Sequence, residues 1–336
     1  MSLDPVAVPD VRSGLRSILG LVEDDLQQVE FLFEGQMESD VGLVGEIARY
    51  VREGGGKRIR PALLLLSSRL CGYRGERAVL LGGVVEFIHS ATLLHDDIID
   101  EAKTRRGRSS VNGRWGNDIT VLLGDFLYTK SMSMALSQDN LPILRLLSEV
   151  TLRMIEGELL QIETRGTIGT TPEMHLDITR RKTADLIALC ARIGAILGGA
   201  VPEKERALDQ YGRKLGICFQ MVDDLLDFTA DESVLGKPVL NDLREGRLTL
   251  PSIFLMRREG ARGRTLVEQA LAKGGFSRGR AEGVLAAVRA SGALAEAQQL
   301  AEDYAAAARA ELRVFEPSPF RDALEALPGF VLARDH

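Results

Sequence analysis

Six aspartates in this 336-residue chain are grouped in a way that could do chemistry. Asp96, Asp97 and Asp100 stand in the run His95-Asp96-Asp97-Ile98-Ile99-Asp100, and Asp223, Asp224 and Asp227 repeat the spacing in Asp223-Asp224-Leu225-Leu226-Asp227. On a helix, residues four apart share a face one turn from each other, where like charges repel by roughly a few tenths of a kcal/mol. Burying such charges without compensation costs far more. Leu93, Leu94, Ile98 and Ile99 around the first group, and Phe219, Met221, Val222, Leu225, Leu226 and Phe228 around the second, place both in apolar helices. Either group alone reads equally well as a solvated acidic turn; two in apolar settings do not. A divalent cation resolves the conflict, and oxygen-only ligands select Mg²⁺ over zinc. Because Mg²⁺ binds through one or two carboxylates plus substrate phosphates, two facing sets could hold several ions around one diphosphate.

A diphosphate also asks for positive side chains. Gly54-Gly55-Gly56-Lys57-Arg58-Ile59-Arg60-Pro61 offers Lys57 and Arg60 beside a tight glycine turn. Arg105-Arg106-Gly107 follows the first acidic group, Lys182-Thr183 opens a helix toward Cys190, and Gly236-Lys237-Pro238 follows the second group. Arginine matches phosphate oxygens with a two-point fork, and lysine acts as a point charge. Any one of these alone is an ordinary surface cation; their repeated placement beside turns and aspartates carries the argument. Two diphosphates (about −6) and six aspartates balance six such cations and three Mg²⁺ (about +6). Such a site is near neutral only with metal and substrate both present.

The elements that must position these residues are helices. Ala78 to Asp100, Gly124 to Leu136, Ile143 to Glu163 and Leu294 to Leu312 carry apolar residues at three- and four-residue spacing. Strand signals are nearly absent, with no Asn-Gly or Asp-Gly hairpin between alternating runs. Glycine- and proline-containing turns separate the helices, and none is long or polar enough for a domain linker. The reading is all-α, one domain over residues 1–336 with roughly ten or more helices, and a loose Pro-containing stretch up to Asp10.

Composition excludes several classes. The net charge of −6 disfavours nucleic acid, and five tyrosines with one tryptophan leave little for base stacking. Cys71, Cys190 and Cys218 are odd in number and widely spaced, which argues for buried small side chains rather than disulfides or a thiolate metal site. No apolar run reaches the roughly 18 residues of a membrane span, Ala62 to Leu66 being short. No basic segment precedes an apolar core at the N-terminus, so a cytoplasmic home without a signal peptide is expected.

Seven segments, in order, resemble the trans-isoprenyl (polyprenyl) diphosphate synthase family: GGGKRIRP, EFIHSATLLHDDIID, RRG, GDFLYTK, RKTADL, FQMVDDLLDF and LGKPVLNDLREGRLTLP. The resemblance runs from about Gly54 to Pro251 and weakens toward both ends. It implies an all-α bundle around a deep central cavity, as a homodimer, and the Mg²⁺-dependent joining of isopentenyl diphosphate to an allylic diphosphate. By resemblance, Lys57, Arg60, His89 and Arg106 hold isopentenyl diphosphate. Arg105, Lys182, Thr183, Gln220 and Lys237 hold the allylic diphosphate, with Lys182 and Lys237 also aiding its departure. Asp96, Asp100, Asp223 and Asp227 bind Mg²⁺, while Asp97 and Asp224 support them. His89, read alone, is an ordinary core histidine; its place in EFIHSATLLHDD reverses that, and His95 stays structural.

The same resemblance implies that bulk beneath the first aspartates sets product length. Ala91 lies five residues, about 7.5 Å, before Asp96, and Thr92 one turn before it. Both are small, and SATLLHDD resembles the long-chain branch, such as octaprenyl and solanesyl diphosphate synthases, which makes quinone side chains. The expected product therefore exceeds about C20 and falls in the range of about C35 to C50, with Met134 and Ala135 as deeper walls. The alternatives are a short-chain farnesyl or geranylgeranyl diphosphate synthase, a class I terpene cyclase, a non-catalytic subunit of a heteromeric synthase, and a helical scaffold. A cyclase needs no second set of diphosphate-binding cations, a non-catalytic subunit lacks the acidic groups, and a scaffold leaves six inward carboxylates unexplained. Replacing Ala91 by Phe should shorten the product; chromatography of a distribution unchanged by Ala91→Phe would remove this account of length.

Overall fold

The computed structural model describes residues 11–56, 58–105, 107–229, 239–272 and 277–334. Lys57, Arg106, Lys237 and the stretch 1–10 lie outside them. The order is α1 (Val11–Gly20), α2 (Glu23–Gln36), α3 (Gly42–Glu53), α4 (Ile59–Leu70), α5 (Arg77–Ile99), α6 (Val111–Trp115), α7 (Asn117–Leu136), α8 (Leu141–Thr164), α9 (Pro172–Thr179), α10 (Asp185–Leu197) and α11 (Pro202–Thr229). Then come α12 (Asn241–Arg244), α13 (Leu250–Glu259), α14 (Ala261–Leu271), α15 (Arg278–Ser291), α16 (Ala293–Glu311) and α17 (Pro319–Leu332). The all-α reading holds, with one addition among the described residues. Thr104–Arg105 and Arg108–Ser109 pair antiparallel, Thr104 opposite Ser109 and Arg105 opposite Arg108. That ladder is too short to show a period of two in sequence.

Helix starts follow local chemistry. Asn140 accepts a hydrogen bond from the Ile143 amide at 3.1 Å to open α8, with Pro142 in its first turn. Thr171 before Pro172 and Ser318 before Pro319 repeat the device for α9 and α17. A polar cap satisfies an otherwise unpaired amide, and proline loses nothing there because its missing N–H would have no partner.

The core lies where α4, α5, α10 and α11 meet. Leu63 to Leu66 on α4 are fully buried, as are Phe87, Cys190 and Tyr211. Cys218 is buried as expected, whereas Cys71 is only part-buried. Two glycines let α10 sit this close. A Cβ on Gly194 would fall 2.6 Å from Ser67 Cβ and Ser68 N of α4, and one on Gly212 of α11 would fall 2.7 Å from Ala188 Cα. Both distances are inside van der Waals contact. The apolar side chains of α5 have the same origin: by length and composition this helix could cross a membrane, yet 72% of its most apolar window is buried inside the protein.

Between α9 and α10 the chain makes one wider π-helical turn, Arg180–Ala184. Such an insertion rotates the residues it contains relative to the helix on either side. Lys182 and Thr183 are the residues so placed.

Candidate active site

The C-terminal parts of α5 and α11 face one cavity of about 1050 Å³. Its polar side chains include Arg60, His89, Asp96, Glu158, Lys182, Thr183, Gln220 and Asp223. Its apolar wall is built by Leu93 and Ile98 of α5, Met154 and Leu159 of α8, Leu186 and Ile187 of α10, Leu215 and Phe219 of α11, and Leu327, Phe330 and Val331 of α17. The two acidic groups, far apart in sequence, thus open into the same space. Two smaller clefts adjoin it. One of about 190 Å³ shares Lys182, Thr183 and Gln220 and adds Asp100, Asp224, His175, Asp242 and Arg247. The other, about 100 Å³, shares Arg58 and His89 and adds Asp97, Arg105 and Arg108.

Each of the six aspartates has its own compensation. Asp97, 3% exposed, accepts from Arg105 Nε at 2.9 and 3.0 Å and lies 2.7 Å from Arg105 Nη2. Asp100 accepts from Arg165 Nη2 at 2.8 Å and from Arg247 Nη1 at 3.1 Å. Asp96 lies 3.8 Å from Lys182 Nζ, which is also ion-paired with Glu158. Asp223 lies 2.8 Å from Arg334 Nη1, and the Arg334 guanidinium stands 4.5 Å from the centre of the Phe219 ring. Asp224 accepts from Gln220 Nε2 at 3.0 Å and is within 3.0 Å of His175 Nε2. Asp227 accepts two backbone N–H groups, Asn241 at 2.9 Å and Asp242 at 3.1 Å, at the start of α12.

Burial still dominates three of these carboxyls. It raises Asp96 to about 6, against a pull down by Lys182 and a push up by Glu158. It raises Asp223 to about 6, with Arg334 opposing. Asp223 keeps 36% of its side chain exposed at the cavity wall. Asp227 goes to about 7 through burial and the neighbouring Asp242, which its two N–H partners do not offset. Carboxyls raised in this way favour any cation that enters.

Of the residues expected from sequence to hold isopentenyl diphosphate, Arg60 and His89 line the main cavity. Of those expected at the allylic diphosphate, Lys182, Thr183 and Gln220 line it, and Thr183 Oγ1 donates to Gln220 Oε1 at 3.1 Å. Arg105 stands instead in the small side cleft, clamped on Asp97. Asp227 lines none of these three spaces. Thr92 lines the cavity, whereas Ala91 is 3% exposed in the packed core beside it, and Met134 and Ala135 are buried away from the lining. Reading by motif missed Glu158, Arg165, His175, Asp242, Arg247 and Arg334. Asp242 and Arg247 do stand inside the segment LGKPVLNDLREGRLTLP; Arg334 has no local signal at all.

The donors fit an oxygen-loving divalent ion. Among the described residues, no three His, Cys, Asp or Glu side chains gather closely enough to hold a metal alone. Mg²⁺ does not need them to, because it completes its shell with water and phosphate oxygens. Such a site takes metal together with an anionic ligand.

Residues 41–288 match the family described as polyprenyl synthetase. The chain is 40% identical over 322 residues to octaprenyl diphosphate synthase of Escherichia coli (strain K12), covering 96% of this chain and 99% of that one. It is 36% identical to an all-trans-nonaprenyl-diphosphate synthase (geranyl-diphosphate specific) of Rhodobacter capsulatus, over 95% and 98% of the two chains. Its fold is similar to that of a polyprenyl synthase from Caulobacter crescentus CB15 crystallised with calcium and isoprenyl diphosphate, with a TM-score of 0.92 at 33% identity over 99% and 100% of the chains. The chain belongs to the polyprenyl synthetase family and is a trans-prenyltransferase.

The raised carboxyls set a direction for stability. An unfolded aspartate, near 3.8, deprotonates before Asp96 and Asp223 at about 6 and Asp227 at about 7. Their contribution is whole below about pH 4 and is lost as pH rises through about 6 to 7. Chelator-treated protein should therefore lose thermal stability on their account between about pH 4 and about pH 7, and Asp96→Asn should shrink that loss. Thermal midpoints across pH read it; a profile that Asp96→Asn leaves unchanged refutes the assignment.

Proposed function

We propose that this prenyltransferase condenses isopentenyl diphosphate with an allylic diphosphate to give an all-trans polyprenyl diphosphate of about C35 to C50, the length of quinone side chains. The observation that carries the reading is that Asp96, Asp223 and Lys182 share one cavity with a long apolar wall. Its volume of about 1050 Å³ stands at the upper end of small-molecule pockets, roughly 300 to 1,000 Å³. That is room for more than a short isoprenoid.

Asp96 and Asp223, joined by Asp100 and Asp227, would hold Mg²⁺, three ions by charge balance, which when bound with the allylic diphosphate neutralise it as it leaves. Lys182, fixed by Glu158, adds a point charge on the same side, and Thr183 and Gln220 orient the remaining oxygens. Lys237 joins them in this reading, and Arg105 would have to exchange Asp97 for phosphate. Lys57, Arg60, His89 and Arg106 hold the second diphosphate so that its double bond meets the allylic carbon. Leu186, Ile187, Leu215 and Phe219 exclude water from the developing cation and offer it no nucleophile. The proton lost afterwards goes to the released diphosphate.

A homodimer suits the surface. Along α8, Leu141, Arg145, Ser148, Leu152, Ile155, Leu159 and Ile162 follow alternating four- and three-residue steps, the spacing of a helix-pairing seam. Leu152, Ile155 and Leu159 are 58%, 56% and 60% exposed, and Leu122 on neighbouring α7 is 67% exposed. Light scattering should give twice the subunit mass, and Leu152→Glu with Leu122→Glu, both off the cavity lining, should halve it; a wild-type monomer ends this part of the reading.

Incubation with isopentenyl diphosphate, farnesyl diphosphate and Mg²⁺, with chromatography of the dephosphorylated products, tests the reaction. Long linear prenols are expected, none with chelator, and about 100-fold or greater loss for Asp96→Asn or Asp223→Asn. Cyclic hydrocarbons from farnesyl diphosphate alone would replace this reading with a terpene cyclase.

A further inference from the structure

The two acidic groups belong to different helices, yet the reading above needs them at one fixed separation. Among the described residues, Arg247 touches the first group directly and the second through one intermediate, Asp242. Arg247, 19% exposed, donates from Nη1 to both carboxylate oxygens of Asp100 at 3.1 Å. Its Nε donates to Asp242 Oδ1 at 3.0 Å, and its own backbone N–H donates to the Asp242 carbonyl at 2.8 Å. Asp242 in turn gives its backbone N–H to Asp227 Oδ2 at 3.1 Å, while Asn241 gives its own to Oδ1 at 2.9 Å. The line Asp100–Arg247–Asp242–Asp227 therefore runs unbroken from the end of α5 to the end of α11.

Arg165 is the useful contrast. It also grips Asp100, at 2.8 Å, but reaches nothing in the second acidic group. It helps neutralise Asp100; Arg247 does that and also ties the site across. The turn carrying Arg247 is anchored as well, since the Gly246 carbonyl accepts from the Gly166 amide at 2.8 Å just past α8. Gly246 sits at φ +82°, and a Cβ there would come 3.0 Å from Arg165 Cγ, so this turn is seated against the Arg165 segment.

We infer that Arg247 is a positioning residue: by gripping Asp100 directly and Asp227 through Asp242, it fixes the separation of the two carboxylate sets that receive a metal-bound diphosphate. The inference rests on the proposed metal-binding role of those aspartates. Arg247 lines the cleft of about 190 Å³ and not the main cavity, so it acts through the carboxylates rather than on the diphosphate. A guanidinium suits the task because its rigid fork holds two carboxylates at a set angle, which a lysine cannot do. Side chains that orient metal-holding carboxylates are worth roughly 10- to 100-fold in metal affinity.

The test is calorimetric titration of inorganic pyrophosphate into full-length protein with Mn²⁺, alongside steady-state kinetics, for wild type, Arg247→Gln, Arg247→Lys and Asp96→Asn. Folding is checked by circular dichroism. Folded Arg247→Gln should bind Mn²⁺-pyrophosphate at least about 10-fold more weakly, Arg247→Lys should be intermediate, and kcat should fall while KM for isopentenyl diphosphate holds. A folded Arg247→Gln that binds like wild type, when Asp96→Asn does not, overturns the inference and leaves the metal reading standing. Wild-type binding by Asp96→Asn overturns the metal reading and this inference together. Should Arg247→Gln not fold, Arg247→Lys decides: weakened binding supports the inference and undiminished binding overturns it.

Discussion

Six carboxylates crowded around the inner ends of α5 and α11, two of them in the wall of the main cavity, are the constraint from which the rest of this architecture follows. Each costs far more to bury than any one surface charge returns. The protein meets that cost with a different device at nearly every position. Asp97 has an arginine fork and Asp100 two arginines; Asp96 has a shared lysine, Asp223 an arginine just past α17, Asp224 a glutamine and a histidine, and Asp227 the start of α12. Compensation is incomplete where it matters, because Asp96 and Asp223 line the main cavity and both remain raised by burial. The residual imbalance is one that a cation entering with an anionic ligand would relieve.

Holding those groups requires rigid carriers. α5 and α11 are long, and α11 packs against α10 at the close contact that Gly212 permits. The extra residue of the π-helical turn lets one chain segment end α9, present Lys182 and Thr183 to the cavity, and begin α10 without a loop. The apolar wall and the polar face come from the same helices.

Much of this was legible beforehand because helical periodicity and carboxylate spacing are local properties. Asp96 and Asp223 could be assigned to one space from chemistry alone, since two buried acidic faces would have to meet in order to share a metal-bound diphosphate. Asp100 with Arg247 could not, because the pair is separated by 147 residues and depends on how a turn after α11 docks. Arg334 was invisible for the same reason. Arg105 illustrates a second limit: its motif gives a cation near the diphosphate, but only packing reveals that Asp97 holds it in the side cleft. Ala91 illustrates a third, as one step around a helix separates a residue in the core from one on the cavity wall.

The last helix carries a practical corollary. α17 ends at Leu332, has already lent Leu327, Phe330 and Val331 to the chamber wall, and two residues later sets Arg334 on Asp223. Substitutions along α17 therefore act on the cavity wall and on the partner of Asp223 together.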